Sequence, residues 1–187
     1  MLFPSEADRR TLLELARHAV VEAVSRQQLP VQIPKEGVLA ERSGVFVTLH
    51  VRGRLRGCIG VIEGQEPLGE AIVRCAASAA LQDPRFSPLG AEELGELLIE
   101  ISILSPPAPI QPDSIEIGNH GLLISRGAQR GLLLPQVATE HRLSREQFLE
   151  ETCRKAGLAR EAWREPGTLV FAFTCEVFSE DKPHQEP

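Results

Sequence analysis

One cysteine in this chain is surrounded by residue types that could activate a thiol. Cys58 lies between Gly57 and Gly60 and follows Arg56 by two positions. A nearby cation favours the thiolate, which is the reactive form of cysteine, and a neighbouring histidine such as His50 can accept the thiol proton. The two glycines leave the backbone bare, so a ligand could approach it closely. The alternative is a structural cysteine packed as a small hydrophobic side chain.

These residues fall in a predicted β-hairpin over residues 45–62. Apolar residues alternate with one parity on both sides of Arg52-Gly53-Arg54, and a slip of one residue would send them to the wrong face. A three-residue loop keeps that parity by pairing Val51 with Leu55. A two-residue loop would pair Val51 with Arg54 and mix the faces, so the three-residue loop is predicted.

The predicted register brings the candidate residues together on one face. It places Thr48 opposite Cys58 and His50 opposite Arg56, so that the imidazole lies diagonally across the ladder from the thiol. The other face pairs Leu49 with Gly57, Val47 with Ile59 and Val45 with Val61. The polar face of the predicted hairpin carries Phe46, Thr48, His50, Arg56, Cys58 and Gly60.

Five further residues could take part in binding or catalysis. Asp83 and Arg85 flank a proline, and Arg85 could bind a carboxylate or phosphate or, equally, form a local ion pair with Asp83. Glu100 is acidic in an apolar strand and is either functional or the partner of an arginine. His120 lies in an Asn-His-Gly segment that is typical of a turn, and its role as a ligand or base is the minority alternative. The Gln136 amide could face a ligand or serve a turn.

Helices and antiparallel strands must position these residues. Three helices are predicted from capping signals and apolar periodicity. They run from a Ser5 and Asp8 capping box to about Gln28, from Pro67 to just before Pro84, and from a Ser144 and Gln147 box to Gly157. Strands are predicted at residues 97–104, 115–117, 122–126 and 131–134, with one long final strand over residues 169–177. This order indicates an α+β fold, and four prolines between residues 106 and 112 predict a subdomain junction.

Composition narrows the class of protein. The 187 residues carry a formal charge of −6 and only 4% aromatic residues, which disfavours a nucleic-acid-binding surface. Cys75, Cys153 and Cys175 fall on core-facing stripes, and no spacing among the four cysteines predicts a metal site. The start of the sequence lacks the features of a signal peptide, and no apolar run is long enough to span a membrane, so a cytoplasmic protein is predicted. A small basic patch at Arg52, Arg54 and Arg56 is where a ligand is expected.

The segment Leu-Arg-Gly-Cys-Ile-Gly at residues 55–60 resembles the signature of the AMMECR domain family, known in prokaryotes as AmmeMemoRadiSam system protein A. Other blocks stand in the family's order at residues 44–49, 83–89, 100–105, 130–138 and 153–158. Blocks in one register over roughly residues 5 to 180 are far more specific than one motif. Leu143 departs from the pattern, because family members often carry Trp there.

The resemblance implies a single domain over residues 1–187. Its fold would be α+β with two unequal subdomains, built of antiparallel sheets flanked by helices, the larger one from both chain ends. The signature segment would line a cleft between them. The resemblance also implies two partners, a Memo-type protein similar to non-haem-iron dioxygenases and a radical SAM enzyme. It brings no established reaction, and it leaves the cofactor and the oligomeric state open.

Two hypotheses about function follow. In the first, the protein is a small enzyme or a catalytic partner subunit, in which Cys58 is the nucleophile or thiol acid/base, Arg56 supports its charge, and His50 or Glu100 accepts the proton. In the second, it is a non-catalytic adaptor that presents substrate to those partners. The residues expected to bind substrate are Arg56, Gly57, Gly60, Asp83, Arg85, His120 and Gln136.

Overall fold

The computed structural model describes residues 4–25, 33 and 36–181. The chain divides into two units, Met1–Leu104 with Glu176–Pro187, and Ser105–Cys175. Two four-stranded antiparallel sheets and several helices confirm the predicted α+β class. In chain order the helices and strands are α1 (Glu6–Ser25), β1 (Gly44–Val51), β2 (Arg54–Val61), α2 (Leu68–Leu81), β3 (Leu97–Leu104), β4 (Ala108–Pro109), β5 (Gly121–Arg126), β6 (Gln129–Leu133), α3 (Pro135–Glu140), α4 (Arg145–Lys155), β7 (Leu169–Phe173) and β8 (Cys175–Ser179).

In the first unit, α1 and α2 cover one face of a sheet with the strand order β2-β1-β3-β8. Apolar side chains at helical spacing in α1 and α2 meet alternate side chains of β1 and β3, which gives one buried cluster. The other face of the same sheet carries the candidate residues of β1 and β2. The residues at the centre of the cluster are Leu12, Ala16, Ile72, Cys75, Val47, Leu49, Ile99 and Ile101.

The ends of α1 and α2 follow the predicted signals closely. Ser5 Oγ accepts a hydrogen bond from the backbone N–H of Asp8, and the Asp8 carboxylate accepts one from the N–H of Ser5, which confirms the capping box. The predicted end of α1 near Gln28 lies outside the described residues. In α2 the residue Pro67 is the N-cap and not the first helical residue, so the helix begins one residue later than predicted.

The hairpin of β1 and β2 confirms the predicted pairing of Thr48 with Cys58 but not the predicted loop. The connection has two residues, and both Arg52 and Gly53 have positive φ, 53° and 72°, as a type I′ turn requires. A bulge follows, because Arg56 is an extra residue in β2 with no partner in β1. This extra residue offsets the shorter loop, so that the predicted pairs from Leu49 with Gly57 onwards are kept.

The bulge changes which side chains face the core. His50 pairs with Leu55 and not with Arg56, so the predicted opposition of the imidazole and the guanidinium is wrong. Val51 pairs with Arg54, and Leu55, which was expected on the core face, is 41% exposed. The bulge lets Arg56 leave the ladder and reach the 3-10 helix Ala91–Glu96.

In the second unit, α4 packs on a sheet with the strand order β4-β7-β5-β6. Ser144 caps α4 through the predicted box with Gln147. At the other end, Gly157 has φ 73°, and hydrogen bonds from Gly157 N–H to Arg154 C=O and from Leu158 N–H to Cys153 C=O form a Schellman motif. The predicted C′ glycine is therefore confirmed.

Two strand predictions in this part of the chain are wrong. Residues 115–117 form no strand, because Ile115 follows a 3-10 helix, Pro112–Ser114, and a turn with φ 87° at Gly118 comes next. The long final strand is interrupted at Thr174, so that β7 belongs to one sheet and β8 to the other. Ser105 binds Thr174 at the interruption, through its N–H to the Thr174 C=O and through its hydroxyl from the Thr174 N–H.

Gly57 sets how closely β2 approaches α2, and replacing it tests that contact. A Cβ at this position would lie 2.1 Å from the carbonyl oxygen of Ala79, which is backbone and cannot rotate away. We expect Gly57→Ala to lower the free energy of unfolding in urea by about 3 kcal/mol. The matched control is Gly95→Ala, where a Cβ meets nothing within 4 Å, and we expect a change within about 0.5 kcal/mol. Equal effects of the two variants would contradict the close approach.

Candidate functional site around Cys58

The Cys58 thiol lies beside the hydroxyl of Thr48 on the sheet face that α1 and α2 do not cover. Thr48 Oγ1 donates a hydrogen bond to Cys58 Sγ at 3.3 Å. Cys58 is half-buried and Thr48 is buried. The N–H and C=O groups of Cys58 both find partners outside the ladder, so Cys58 and Thr48 form a non-hydrogen-bonded pair. Such pairs bring the Cα atoms to about 4.5 Å, which explains the short distance between the two side chains.

The partners of the Cys58 backbone are Asp83 and Arg85, from the segment that follows α2. Cys58 N–H donates to Asp83 Oδ2 at 2.8 Å, and Arg85 Nη2 donates to the Cys58 carbonyl oxygen at 3.3 Å. Arg85 also donates to both carboxylate oxygens of Asp83, from Nε at 3.0 Å and from Nη2 at 2.7 Å. The local ion pair, one of the two interpretations of this segment, is therefore present.

Asp83 is a buried charge held by several donors. Its side chain is 2% exposed, whereas that of Arg85 is 54% exposed. Hydrogen bonds from the Arg85 guanidinium, together with those from the backbone N–H groups of Cys58 and Arg85, hold the pKa of Asp83 far below its usual range, although burial acts in the opposite direction. Asp83 is therefore ionised at neutral pH and fixes the backbone of Cys58.

Arg56 turns away from the thiol and binds the 3-10 helix Ala91–Glu96. Its Nε and Nη2 donate to the two oxygens of Glu93 at 2.7 and 2.9 Å, and its guanidinium also donates to the carbonyl oxygens of Ser87 and Pro88. The Arg56 hydrogen bonds lower the pKa of Glu93. Arg52 pairs in a similar way with Glu96. Two of the three arginines in the predicted basic patch are thus neutralised by acidic partners.

The two glycines of the signature serve close packing. Gly57 is buried against the backbone of Ala79 in α2, as described above. A Cβ at Gly60 would lie 2.4 Å from the ring of Phe46 and 2.5 Å from the carbonyl oxygen of Val45. Both positions therefore require glycine for reasons of packing, and their predicted role in ligand approach stays a prediction.

Glu100 and His50 share the sheet face of the thiol. Glu100 is half-buried on β3 and lies opposite Thr48, so that Cys58, Thr48 and Glu100 form one row across three strands. His50 lies two residues further along β1 and opposite Leu98. The described part of the chain shows no hydrogen bond from His50 to the thiol and no ion pair from Glu100 to an arginine.

The comparisons with known proteins place the chain in a family. The AMMECR1 family model matches residues 13–178. The chain belongs to the AMMECR1 family. It is 44% identical to a protein of Methanothermobacter thermautotrophicus and 43% identical to one of Aquifex aeolicus, and these alignments cover 95% and 96% of this chain and 96% of each relative. The crystal structure of an uncharacterized protein from Pyrococcus horikoshii has a TM-score of 0.85 at 39% identity, covering 94% of this chain and 93% of that one.

Two residues on the same sheet face of this AMMECR1 domain, Thr48 and Ser102, were not predicted from the sequence as site residues. Thr48 was placed opposite Cys58 by the register, yet a threonine in an alternating strand carries no catalytic signal of its own. Ser102 is 1% exposed, and its hydroxyl has no hydrogen-bond partner in the described part of the chain. It lies two residues from Glu100 and opposite Phe46. A signal for Ser102 was present, because hydroxyl and carboxyl groups alternate at 100 and 102 in an otherwise apolar strand.

His120 and Gln136 belong to the second unit. His120 follows a turn, as predicted, and its Nδ1 accepts a hydrogen bond from the backbone N–H of Glu116 at 3.1 Å. Gln136 is the second residue of α3, a helix that was not predicted from the sequence. The backbone carbonyl oxygen of Gln136 accepts a hydrogen bond from the Thr139 hydroxyl. Their predicted participation in one site with Cys58 stays a prediction.

The remaining cysteines differ in burial. Cys75 and Cys153 are fully buried, which confirms their core positions, and burial raises the pKa of both thiols. Cys175 is half-buried and does not belong to the buried core, contrary to the prediction. No group of three or more metal-ligating side chains occurs among the described residues. Within the same residues, no helix is long and apolar enough to cross a membrane.

The Asp83 carboxylate should make stability depend on pH. A carboxyl whose pKa is lower in the folded than in the unfolded chain stabilises the fold above its unfolded pKa of about 4, and this contribution is lost as the pH falls below that value. We expect Asp83→Asn to lower the free energy of unfolding by about 3 kcal/mol at pH 7. The difference between the variant and the wild type should shrink as the pH is lowered towards 2.

The matched control for this variant is Asp113→Asn. Asp113 is fully exposed, with Arg145 at 3.7 Å, so its loss should change stability by no more than about 0.5 kcal/mol. Urea unfolding at a series of pH values measures both variants. A loss for Asp83→Asn that is independent of pH would show that the charge of Asp83 does not hold the segment.

Proposed function

We propose that this AMMECR1 domain is a thiol-dependent enzyme, or the catalytic subunit of one, with Cys58 as the nucleophile. The observation that carries the proposal is the hydrogen bond of 3.3 Å between the Thr48 hydroxyl and Cys58 Sγ, on the face of the sheet opposite α1 and α2. A hydroxyl donor stabilises negative charge that develops on sulfur. The thiol is half-buried, so it combines access with a fixed position.

Glu100 is the preferred proton acceptor in this proposal. It lies directly opposite Thr48 on β3, and the Thr48 hydroxyl contacts the sulfur. Glu100 lies in the same row as Cys58 and Thr48, so its carboxylate is the base that takes the proton leaving Sγ, while the Thr48 hydroxyl keeps its donor hydrogen bond to the sulfur. His50 is the second choice, because the bulge at Arg56 moves its cross-strand partner to Leu55.

Arg85 supplies a binding group beside the thiol. Its side chain is 54% exposed, and its Nε and Nη2 atoms bind Asp83 and the Cys58 carbonyl oxygen. In the described part of the chain Nη1 makes no hydrogen bond, so its two N–H groups can donate to an anionic group of the substrate. The substrate class that fits best is thus a small molecule or a modified side chain that carries a carboxylate or phosphate.

The setting of this activity rests on the family resemblance. We propose that the domain acts in the cytoplasm together with a Memo-type protein and a radical SAM enzyme. Four free cysteines, two of them half-buried, suit a reducing compartment.

Alkylation of the native protein by iodoacetamide tests the role of Thr48. We expect Cys58 and Cys175 to react in the folded protein while Cys75 and Cys153 react only after unfolding, since the last two are fully buried. Thr48→Val should slow the alkylation of Cys58 about fivefold, the effect of losing one hydrogen bond to the sulfur. Peptide mass spectrometry at a series of times gives the rate at each cysteine.

Two internal comparisons make this measurement specific. Cys175 in the same sample should keep its rate, and Thr11→Val, which removes an exposed hydroxyl on α1, should leave Cys58 unchanged. If Glu100 receives the proton, Glu100→Gln should slow Cys58 at pH 7 and not at pH 10, where the thiol ionises without a base, whereas loss of the negative charge alone would speed the reaction. Cys58 that stays unmodified in the folded protein, or a rate that neither variant changes, would refute the nucleophile.

One observation favours a second function, that of a non-catalytic adaptor. The polar groups of the signature are largely occupied by internal partners, Arg56 by Glu93 and the Cys58 backbone by Asp83 and Arg85. Such a network stabilises a rigid surface and does not by itself require a reacting thiol.

A pull-down with the purified Memo-type and radical SAM proteins tests this alternative. An adaptor should form a complex whose affinity changes less than about twofold in Cys58→Ser, because the thiol is not used. In the same adaptor, Glu100→Gln should not slow the alkylation of Cys58. Failure to bind either protein would exclude the adaptor, whereas the alkylation experiment decides on the enzyme independently.

A further inference from the structure

A pocket of about 630 Å³ lies in the second unit, among β6, α3 and α4. This volume falls within the range of about 300–1,000 Å³ that is usual for small-molecule sites. Three apolar side chains, Leu133, Val137 and Leu143, line it and also pack against the buried cluster of this unit. The pocket therefore has an apolar floor that is continuous with the core.

The other lining residues give the pocket a positive rim. They are His141, Glu151, Arg154 and Lys155. Glu151 is the single carboxylate among them, and it is shared by two arginines, Arg154 at 2.6 Å and Arg160 at 3.3 Å. Lys155 makes no ion pair within the described part of the chain. The rim consequently carries more positive than negative charge, with one ammonium group available to a ligand.

The helix dipole of α4 is a simpler explanation for the basic residues at its end, but it does not explain the pocket beside them. Basic residues in the last turn of a helix interact favourably with its dipole. The last carbonyl groups of α4 are already satisfied by the Schellman hydrogen bonds from Gly157 and Leu158. The dipole also gives no reason for an apolar cavity of this size next to the cations.

We propose that this pocket binds an amphipathic organic anion, a carboxylate or phosphate monoester whose apolar chain fills the floor and whose head group pairs with Lys155. Burial of the chain removes the apolar floor from water, and the ammonium group selects the anion. The site shares no residue with the thiol site at Cys58. It is therefore a second binding function of the domain, which does not depend on the function proposed above.

Isothermal titration calorimetry of the full chain with octanoate, octyl phosphate and octan-1-ol tests the ligand class. The three probes share one apolar chain and differ in the head group. We expect at least one of the two anions to bind about tenfold more tightly than octan-1-ol, and the comparison between the anions identifies the head group. Equal binding of all three probes, or binding of none, would overturn the proposal.

Two variants that each remove one positive charge locate the site. Lys155→Met should weaken binding of the preferred anion about fivefold, and Arg10→Met, at an exposed position on α1, should leave it unchanged. Val137→Phe, which fills the floor, should weaken both anions, while circular dichroism shows that the fold is kept. Equal effects of Lys155→Met and Arg10→Met would show that only the overall charge matters and would refute the site.

Discussion

The position of Cys58 depends on one buried carboxylate, that of Asp83. β2 is an edge strand, so the backbone groups of Cys58 that point away from β1 would have no ladder partner. Asp83 accepts the N–H of Cys58, and Arg85, held in turn by Asp83, donates to the Cys58 carbonyl oxygen. The segment after α2 therefore does for the edge what a neighbouring strand would do. Asp83 and Arg85 neutralise each other's charge. Their ion pair therefore fixes the edge strand without placing an unpaired charge beside the thiol.

Glycine and a bulge complete this arrangement. Gly57 lets β2 approach the backbone of α2, and the bulge at Arg56 directs that guanidinium to Glu93. The cation closest in sequence to the thiol thus becomes a structural residue, and the one that touches the backbone of Cys58 is Arg85, which lies 27 residues away. The support that Arg56 was expected to give the Cys58 side chain comes instead from the Thr48 hydroxyl and from Arg85, whose pKa is raised mainly by Asp83 and in addition by the Cys58 thiol.

The sequence predicted those features that depend on local pattern and missed those that depend on tertiary structure. Alternation in β1 was sufficient to pair Thr48 with Cys58, and capping residues located three helix ends. The two-residue turn was missed for two reasons. Arg52 adopts a positive φ, which few residues other than glycine do, and the argument from alternating apolar residues allowed for no bulge. Residues 169–177 alternate without a break, yet the pattern holds no information on which sheet each half joins. The two interpretations of Arg85 could not be separated, because both use the same guanidinium.

The structural network accounts for three residues of the signature, Arg56, Gly57 and Gly60, and leaves the identity of the side chain at residue 58 unexplained. Gly57 and Gly60 are required by packing against Ala79 and Phe46, and Arg56 is required by Glu93. The hydrogen bonds of Asp83 and Arg85 to the backbone of residue 58 require no particular side chain there, but Arg85 also interacts with the Cys58 thiol, which raises the pKa of Arg85 further after the larger effect of Asp83. The proposed function rests on this side chain, which contacts the buried Thr48 hydroxyl, interacts with Arg85 and lies in one row with Glu100.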